Sequence, residues 1–415
     1  MADRKILPFA HANELRDCVH CGLCLSACPT YLELGTEADS PRGRIYLMQM
    51  LADGEIGLDD EVVEHLDLCL GCRACESACP SGVRYGTLIE DARAVVRASY
   101  RRPLRQRVLQ ALIATVFPRP EVLSRLLLPA RWLERLGVLA WLRRWHRFVR
   151  LLPPLVGGAT AAFEVVPVRG ELRSRAALFT GCVARVLFAG TNAATARVLA
   201  YNGCEVVVPL EQGCCGALLL HAGDRAGAQA MARANIDAFA AGDAAIVSNA
   251  AGCGATLAEY GELLADDPEY APRAQAFAAR VRDVSAFLDE IGLAAPPSEL
   301  RMRVAYHDAC HLVHGMGVRA QPRALLRTIP GVDLVELDEA DLCCGSAGSY
   351  NLTQPEMAAR LGRRKAEHIR ASGANVVAAG NPGCALQIRT ALAEAGVEAE
   401  VLHPVEILDR ALPMG

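Results

Sequence analysis

Two cysteine runs set the chemistry of this chain. CVHCGLCLSACP supplies Cys18, Cys21, Cys24 and Cys28, and CLGCRACESACP supplies Cys69, Cys72, Cys75 and Cys79. Both follow C-x2-C-x2-C-x3-C-P, the spacing that wraps three thiolates around one [4Fe–4S] cube and sends the fourth to a second cube. Short spacers curl the backbone so that amide N–H groups can point at sulfur, and Pro29 and Pro80 then turn the chain away. The predicted sets are crossed: Cys18, Cys21, Cys24 and Cys79 on one cluster, and Cys28, Cys69, Cys72 and Cys75 on the other. Zinc accepts the same residue types, but its sites are usually built from two separated C-x2-C pairs. Disulfides fit poorly with 17 cysteines, an odd number, in a chain whose first residues lack an export signal. His20, between two ligands, reads as a solvent-facing spacer.

A second group of thiols sits in QGCCGALL and DLCCGSAG. Around the first lie Cys182, Cys214, Cys215 and Cys253; around the second lie Cys310, Cys343, Cys344 and Cys384. Each pair of counterparts is separated by nearly the same interval, so the region is an internal duplication. These eight thiols are expected in loops after strand C-termini, where open parallel sheets build sites. Buried free thiols serving as small hydrophobes are the alternative, but placement in loops beside glycine favours a metal or redox role. One further iron–sulfur cluster is compatible with this set. Cys204, without a counterpart, reads as a core residue. His307, His311 and His314 surround Cys310 and read as polar neighbours of that site, not as ligands.

The elements that must hold these residues follow from periodicity. RGRIYLMQML and EVVEHLDL carry helical patterning between the two runs, with Ser40–Pro41 opening the first helix and Gly54 and Gly57 ending the pattern. Residues 1–100 are therefore expected to form a helical ferredoxin-like domain. RAALFTGC, CEVVVPL and AAIVSNAAGC read as strands that alternate with the helices TNAATARVLAYNG and RAGAQAMARANIDAFAA. The order recurs from residue 301, which implies right-handed parallel crossovers in two α/β units, 171–295 and 296–415. The expected fold is α+β multidomain, a helical dicluster domain followed by two duplicated parallel-sheet domains.

Residues 101–170 are read as a basic amphipathic segment and linker. Between 93 and 150 there are fourteen arginines, two acids (Glu121 and Glu134) and the three tryptophans Trp132, Trp141 and Trp145. RLGVLAWLRRWHRFVRLL resembles an interfacial helix, with an apolar face for lipid and arginines for anionic headgroups; docking onto an acidic partner subunit is the competing reading. Nucleic acid is not expected as a partner, because no binding motif accompanies the charge. A linker is expected at LLPPLVGGATAA. Hydrophobic residues at 52% and charged residues at 22% describe a globular chain, and the net charge of −4 implies no bulk affinity for nucleic acid. No stretch is apolar enough to span a bilayer. The expected location is cytoplasmic, peripheral on the inner face of the inner membrane.

CVHCGLCLSACPTY, SPRGRIYLM, EHLDLCLGCRACESACPSGVRY, TNAATARVL, GCCGA, ARANIDAF, GCGATLAEYG and CCGSAGSYNLT together resemble the iron–sulfur subunit of bacterial glycolate oxidase, over nearly the whole chain except about 120–170. That resemblance implies a subunit of glycolate dehydrogenase working beside two flavoprotein-type subunits. Electrons would pass from FAD on those partners, where glycolate or D-lactate is oxidised to glyoxylate or pyruvate, to a membrane acceptor, quinone. The absence of a G-x-G-x-x-G fingerprint agrees that this chain holds no flavin or substrate-oxidising site; no catalytic residue is expected on it. The duplicated units resemble the CCG domains of heterodisulfide reductases, whose motif ends in C-x2-C. Here Ala250 and Asn381 replace the first member of that pair, which leaves four thiols per unit. A thiol–disulfide enzyme of that type, or the sister subunit of glycerol-3-phosphate or lactate dehydrogenase, is the alternative.

Overall fold

The computed structural model describes residues 6–143, 145–152, 155 and 165–413. Most of the linker expected at 151–162 lies outside the described residues.

The N-terminal body is helical. Ser40 accepts a hydrogen bond from Gly43 N (3.0 Å) and precedes Pro41, so helix Pro41–Ala52 begins where a cap and a pre-set φ coincide. Asp59 caps helix Asp60–Asp67 in the same way through Val62 N. These two helices and helix Tyr85–Ser99 enclose Leu15, Ile45, Met48, Leu51, Leu66, Leu88, Ile89 and Val96, and the cysteine runs lie at the edge of that core.

Two sheets follow. The first contains β1 (Val165–Val166), β2 (Ser174–Phe179), β3 (Cys204–Val207), β4 (Ala245–Ser248) and β5 (Val281–Asp283), in the order β1-β3-β2-β4-β5. The second contains β6 (Met302–His307), β7 (Val332–Glu336), β8 (Val376–Ala379) and β9 (Glu400–Leu402), in the order β7-β6-β8-β9. All pairings are parallel except that of β1, a two-residue antiparallel edge strand within the segment read from sequence as linker. Removing β1 leaves identical strand orders, as a duplication requires. Strands β5 and β9, of three residues each, carry too little alternation to be read from the sequence.

The two repeats share a core. Leu178, Val206 and Val247 of the first sheet and Val304, Tyr306 and Val376 of the second belong to one buried cluster, bridged by Val198 and Leu199 from helix Ala189–Tyr201 and Val405 and Leu408 from helix Pro404–Arg410. Arg197 and Asp409 pair across it at 2.6 Å. The helical body docks on both repeats: Tyr350 Oη donates to the Leu68 carbonyl (2.8 Å), Ser77 Oγ meets His314 Nδ1 (2.8 Å), and Arg73 and Arg84 pair with Glu259 and Glu262.

The basic segment is several short helices, and RLGVLAWLRRWHRFVRLL within it is not one interfacial helix. It is divided into Leu104–Val116, Pro120–Leu126, Leu128–Arg135, Val138–Leu142 and Arg147–Arg150. Pro120 and Pro129 start new helices, and Gly137, at φ 73°, takes a left-handed conformation that ends one and begins the next. Trp132, Trp141 and Trp145 remain 62%, 59% and 69% exposed, beside exposed Leu126, Leu128 and Leu136. No helix among the described residues is long and apolar enough to cross a membrane.

Candidate metal centres

The second cysteine run and the last cysteine of the first converge. Cys28, Cys69, Cys72 and Cys75 line one small pocket together with Thr30, Arg44 and Tyr85. Burial pushes the Cys75 thiol well up, and its thiol neighbours Cys72, Cys69 and Cys28 add to this. Burial acts the same way on Cys69, but Arg44 and Arg93 beside it, with donors from Tyr85 Oη (3.5 Å) and Gly71 N–H (3.3 Å), hold it below the ordinary thiol range. Arg44 is itself buried, donating to the His65 carbonyl (2.6 Å), Thr30 Oγ1 (3.1 Å) and Asp39 Oδ1 (3.4 Å). Four largely buried thiols around one pocket, with a buried cation and N–H donors at sulfur, fit an anionic thiolate-ligated cluster.

The other predicted set lies nearer the surface. Cys18, Cys24 and Cys79 are half-buried against the helical core and Cys21 is exposed. Burial raises the Cys24 thiol, with Cys18 and Cys28 among its charged neighbours. His20 is exposed and lies edge-on to the Tyr46 ring at 6.3 Å.

Each repeat gathers its four thiols. In the first, Cys182 and Cys214 lie 3.3 Å apart, and Cys215 neighbours both Cys214 and Cys253. In the second, Cys310 neighbours Cys343, which adjoins Cys344, which in turn neighbours Cys384. The glycine of each CCG turn explains the motif: Gly216 and Gly345 have φ of 90° and 89°. An added Cβ would stand 3.2 Å from Ala228 Cα in one turn and 2.9 Å from the Ala358 carbonyl in the other, so each turn packs directly on the following helix. Cys204 is fully buried in the shared core on β3, outside both sets.

One expectation changes here. Cys253 and Cys384 are not in loops; they occupy the first turns of helices Ala251–Ala258 and Pro382–Ala395, because each strand feeds a helix after only two residues. Asn381, at the place of the missing thiol, bridges the repeats: its Oδ1 accepts from Gly252 N (3.2 Å) and its Nδ2 donates to Cys384 Sγ (3.5 Å).

The second repeat's thiols adjoin the helical body's. Cys72 shares a buried cluster with Cys310, Cys343, Leu70, Ala74 and Tyr350, and burial followed by the nearby Cys310 pushes its thiol up. His311 Nδ1 lies 3.5 Å from Cys310 Sγ, as the polar-neighbour reading expects, and His314 reaches Ser77 instead. Arg44, Tyr85 and Arg93 escaped the sequence reading. The first two lie in the PRGRI and SGVRY segments, but nothing in those segments says that they meet Cys69.

Comparison with known proteins agrees with this layout. Residues 14–83 match the 4Fe-4S dicluster domain family, and residues 176–258 and 304–389 each match the Cysteine-rich domain, CCG. The chain is 38% identical to the probable glycolate oxidase iron-sulfur subunit of Bacillus subtilis (strain 168), over 95% of this chain and 94% of that one. It is also 38% identical to the glycolate oxidase iron-sulfur subunit of Escherichia coli (strain K12), over 96% and 94%. It is 30% identical to a subunit of the fumarate reductase (CoM/CoB) of Methanothermobacter marburgensis, over 97% of this chain and 73% of that one. A helical body bearing two four-cysteine runs, joined to a duplicated CCG unit and matched end to end by such relatives, places the chain in the family of glycolate oxidase iron–sulfur subunits, oxidoreductase components that carry electrons.

Proposed function

We propose that this chain relays electrons within a complex that oxidises glycolate, or D-lactate, on two partner flavoprotein-type subunits carrying FAD, and delivers them to membrane quinone. The observation that carries the reading is the convergence of Cys28, Cys69, Cys72 and Cys75 on one cavity, with Cys310 beside Cys72. In this reading Cys18, Cys21, Cys24 and Cys79 hold one [4Fe–4S] cluster and Cys28, Cys69, Cys72 and Cys75 the other; such clusters exchange single electrons. The remaining steps belong to the chain's own groups. Arg44 supplies a fixed positive charge beside the thiolates, Tyr85 and Gly71 donate to Cys69, and Leu70, Ala74 and Tyr350 close the space between the helical body and the second repeat against water.

The exposed tryptophans and leucines between 126 and 145, interleaved with exposed Arg125 and Arg135, support peripheral contact with the anionic cytoplasmic face of the inner membrane. Iron determination and EPR on the anaerobically purified chain test the cluster assignment: at least about eight irons, with two interacting four-iron signals among them, are expected, and zinc without iron overturns it. Flotation with anionic vesicles tests the membrane contact. Trp132→Ala/Trp141→Ala/Trp145→Ala should abolish flotation, and unchanged flotation would assign that surface to a partner subunit.

A further inference from the structure

His307 ends β6, the central strand flanked by β7 and β8. The segment after β7 carries Cys343 and Cys344, and the one after β8 carries Cys384, so the imidazole stands between the two thiol-bearing connections. The side chain is fully buried, neither ring nitrogen makes a well-oriented hydrogen bond among the described residues, and the polar group that faces it is the Cys344 thiol. A buried imidazole with no oxygen or nitrogen partner and only thiols to face is poorly satisfied, and native structures rarely tolerate that without a further ligand. One of its nitrogens, Cys344 Sγ and Cys384 Sγ all lie within 4.8 Å of one another, which is the span of donors around a shared metal.

The first repeat supplies the contrast. The residue that ends β2, three positions before Cys182 as His307 is three before Cys310, is Phe179. Its ring packs on Phe239 at 6.1 Å inside an apolar cluster and offers no donor. An imidazole chosen only for packing would be replaceable by such a ring. Conversely, Asn381 leaves the second repeat one thiol short of the five-thiol motif, and its amide is already engaged with Gly252 and Cys384.

We infer that His307 is a metal ligand, supplying the fifth donor of a mixed imidazole–thiolate iron centre with Cys310, Cys343, Cys344 and Cys384, and that the two repeats therefore hold chemically different sites. This rests on the electron-relay reading and deepens it. Replacing thiolate by neutral imidazole makes an iron site less anionic and raises its potential, as histidine does in Rieske centres. A centre so tuned, with Cys310 beside Cys72, is placed to accept one electron at a time from the helical body's clusters.

The test uses the full-length chain in complex with its flavoprotein subunits, prepared anaerobically, in wild-type, His307→Ala, His307→Cys and His311→Ala forms. Metal content and pulsed EPR for nitrogen-14 coupling are read on each. The wild type should hold more than about eight irons, with imidazole coupling in the additional signal. His307→Cys should keep that iron, lose the coupling and shift the centre's potential downward. His307→Ala should lose the coupling and the additional iron while keeping the other eight; circular dichroism identifies any variant that fails to fold, and His307→Cys then decides. His311→Ala should retain the coupling. No metal beyond the first eight irons, zinc in place of iron, or coupling that persists in both His307 variants overturns the inference. Fewer than about eight irons in every form, with residue 307 irrelevant, would instead overturn the electron-relay reading.

Discussion

The two repeats share strand order, four thiols in register and a left-handed glycine after each cysteine pair, yet their surroundings differ. The first repeat's thiols adjoin Tyr260, whose hydroxyl donates to the Cys215 carbonyl (2.9 Å), and Phe179 fills the end of its central strand. The second repeat's thiols adjoin Cys72 of the helical body, with His307 at the place of Phe179 and His311 beside Cys310. Duplication has preserved what the backbone needs and let the side chains at the strand ends diverge. A shared scaffold is thus no guarantee of a shared site.

The largest expected effect breaks the comparison at its junction. In the proposed complex, Cys72→Ser should remove about four irons and stop substrate-dependent reduction of the membrane acceptor, while the flavin partners remain reducible. Cys310→Ser should lower that transfer several-fold and Cys182→Ser should lower it less; equal effects, measured as acceptor reduction in membranes, would show that the repeats contribute alike.

The shared core predicts the opposite of divergence for stability. Leu199→Ala in the first repeat and Leu326→Ala in the second remove fully buried side chains from one cluster. Each should cost about 2–5 kcal/mol, and calorimetry should show both repeats melting in a single transition; two separate transitions would refute a common core.

A pH experiment separates the repeats by sign. Asp283 ends β5 and caps the next helix, donated to by Ser285 N (2.7 Å); His403 follows β9 and caps its helix, donated to by Val405 N (3.1 Å). Burial pushes the Asp283 carboxyl from 3.8 up to about 6. The unfolded chain therefore ionises first, and this contribution to stability is present below pH 4 and lost as pH rises through 6. Burial pushes His403 from 6.5 down to about 4, so the unfolded chain takes up a proton first and stability is lost as pH falls from 6.5 toward 4. Each is worth roughly 3 kcal/mol at its limit. Asp283→Asn should flatten the loss on the alkaline side and His403→Gln the loss on the acid side, measured by denaturant unfolding between pH 4 and 7.

The smallest difference lies in the CCG turns. Gly345→Ala meets a carbonyl oxygen at 2.9 Å and Gly216→Ala meets a Cα at 3.2 Å, both with strained φ. Each should cost about 1–3 kcal/mol, with Gly345→Ala the more destabilising; the reverse order in thermal melts would contradict the packing described.

Much of this molecule was legible in its sequence because the informative signals are local. Spacing within CVHCGLCLSACP and CLGCRACESACP, the proline and serine that open helix Pro41–Ala52, and the repeated strand–helix order depend on residues within one or two turns of each other. The strands β1, β5 and β9 escape a reading by periodicity because two or three residues show none, and RLGVLAWLRRWHRFVRLL reads as one helix because its apolar pattern outweighs the break at Gly137.

By itself the sequence determined the helical dicluster body, the duplication and the two four-cysteine runs, since short spacers constrain the backbone whatever surrounds it. Only the tertiary structure decided that the two repeats share a core, that Arg44, Arg93 and Tyr85 meet Cys69, that Cys72 lies beside Cys310, and that His307 stands buried against Cys344 and Cys384. Those relations join residues far apart in the chain, and they arise where packing of one body on another removes water and leaves each buried polar group with only the neighbours that the fold provides.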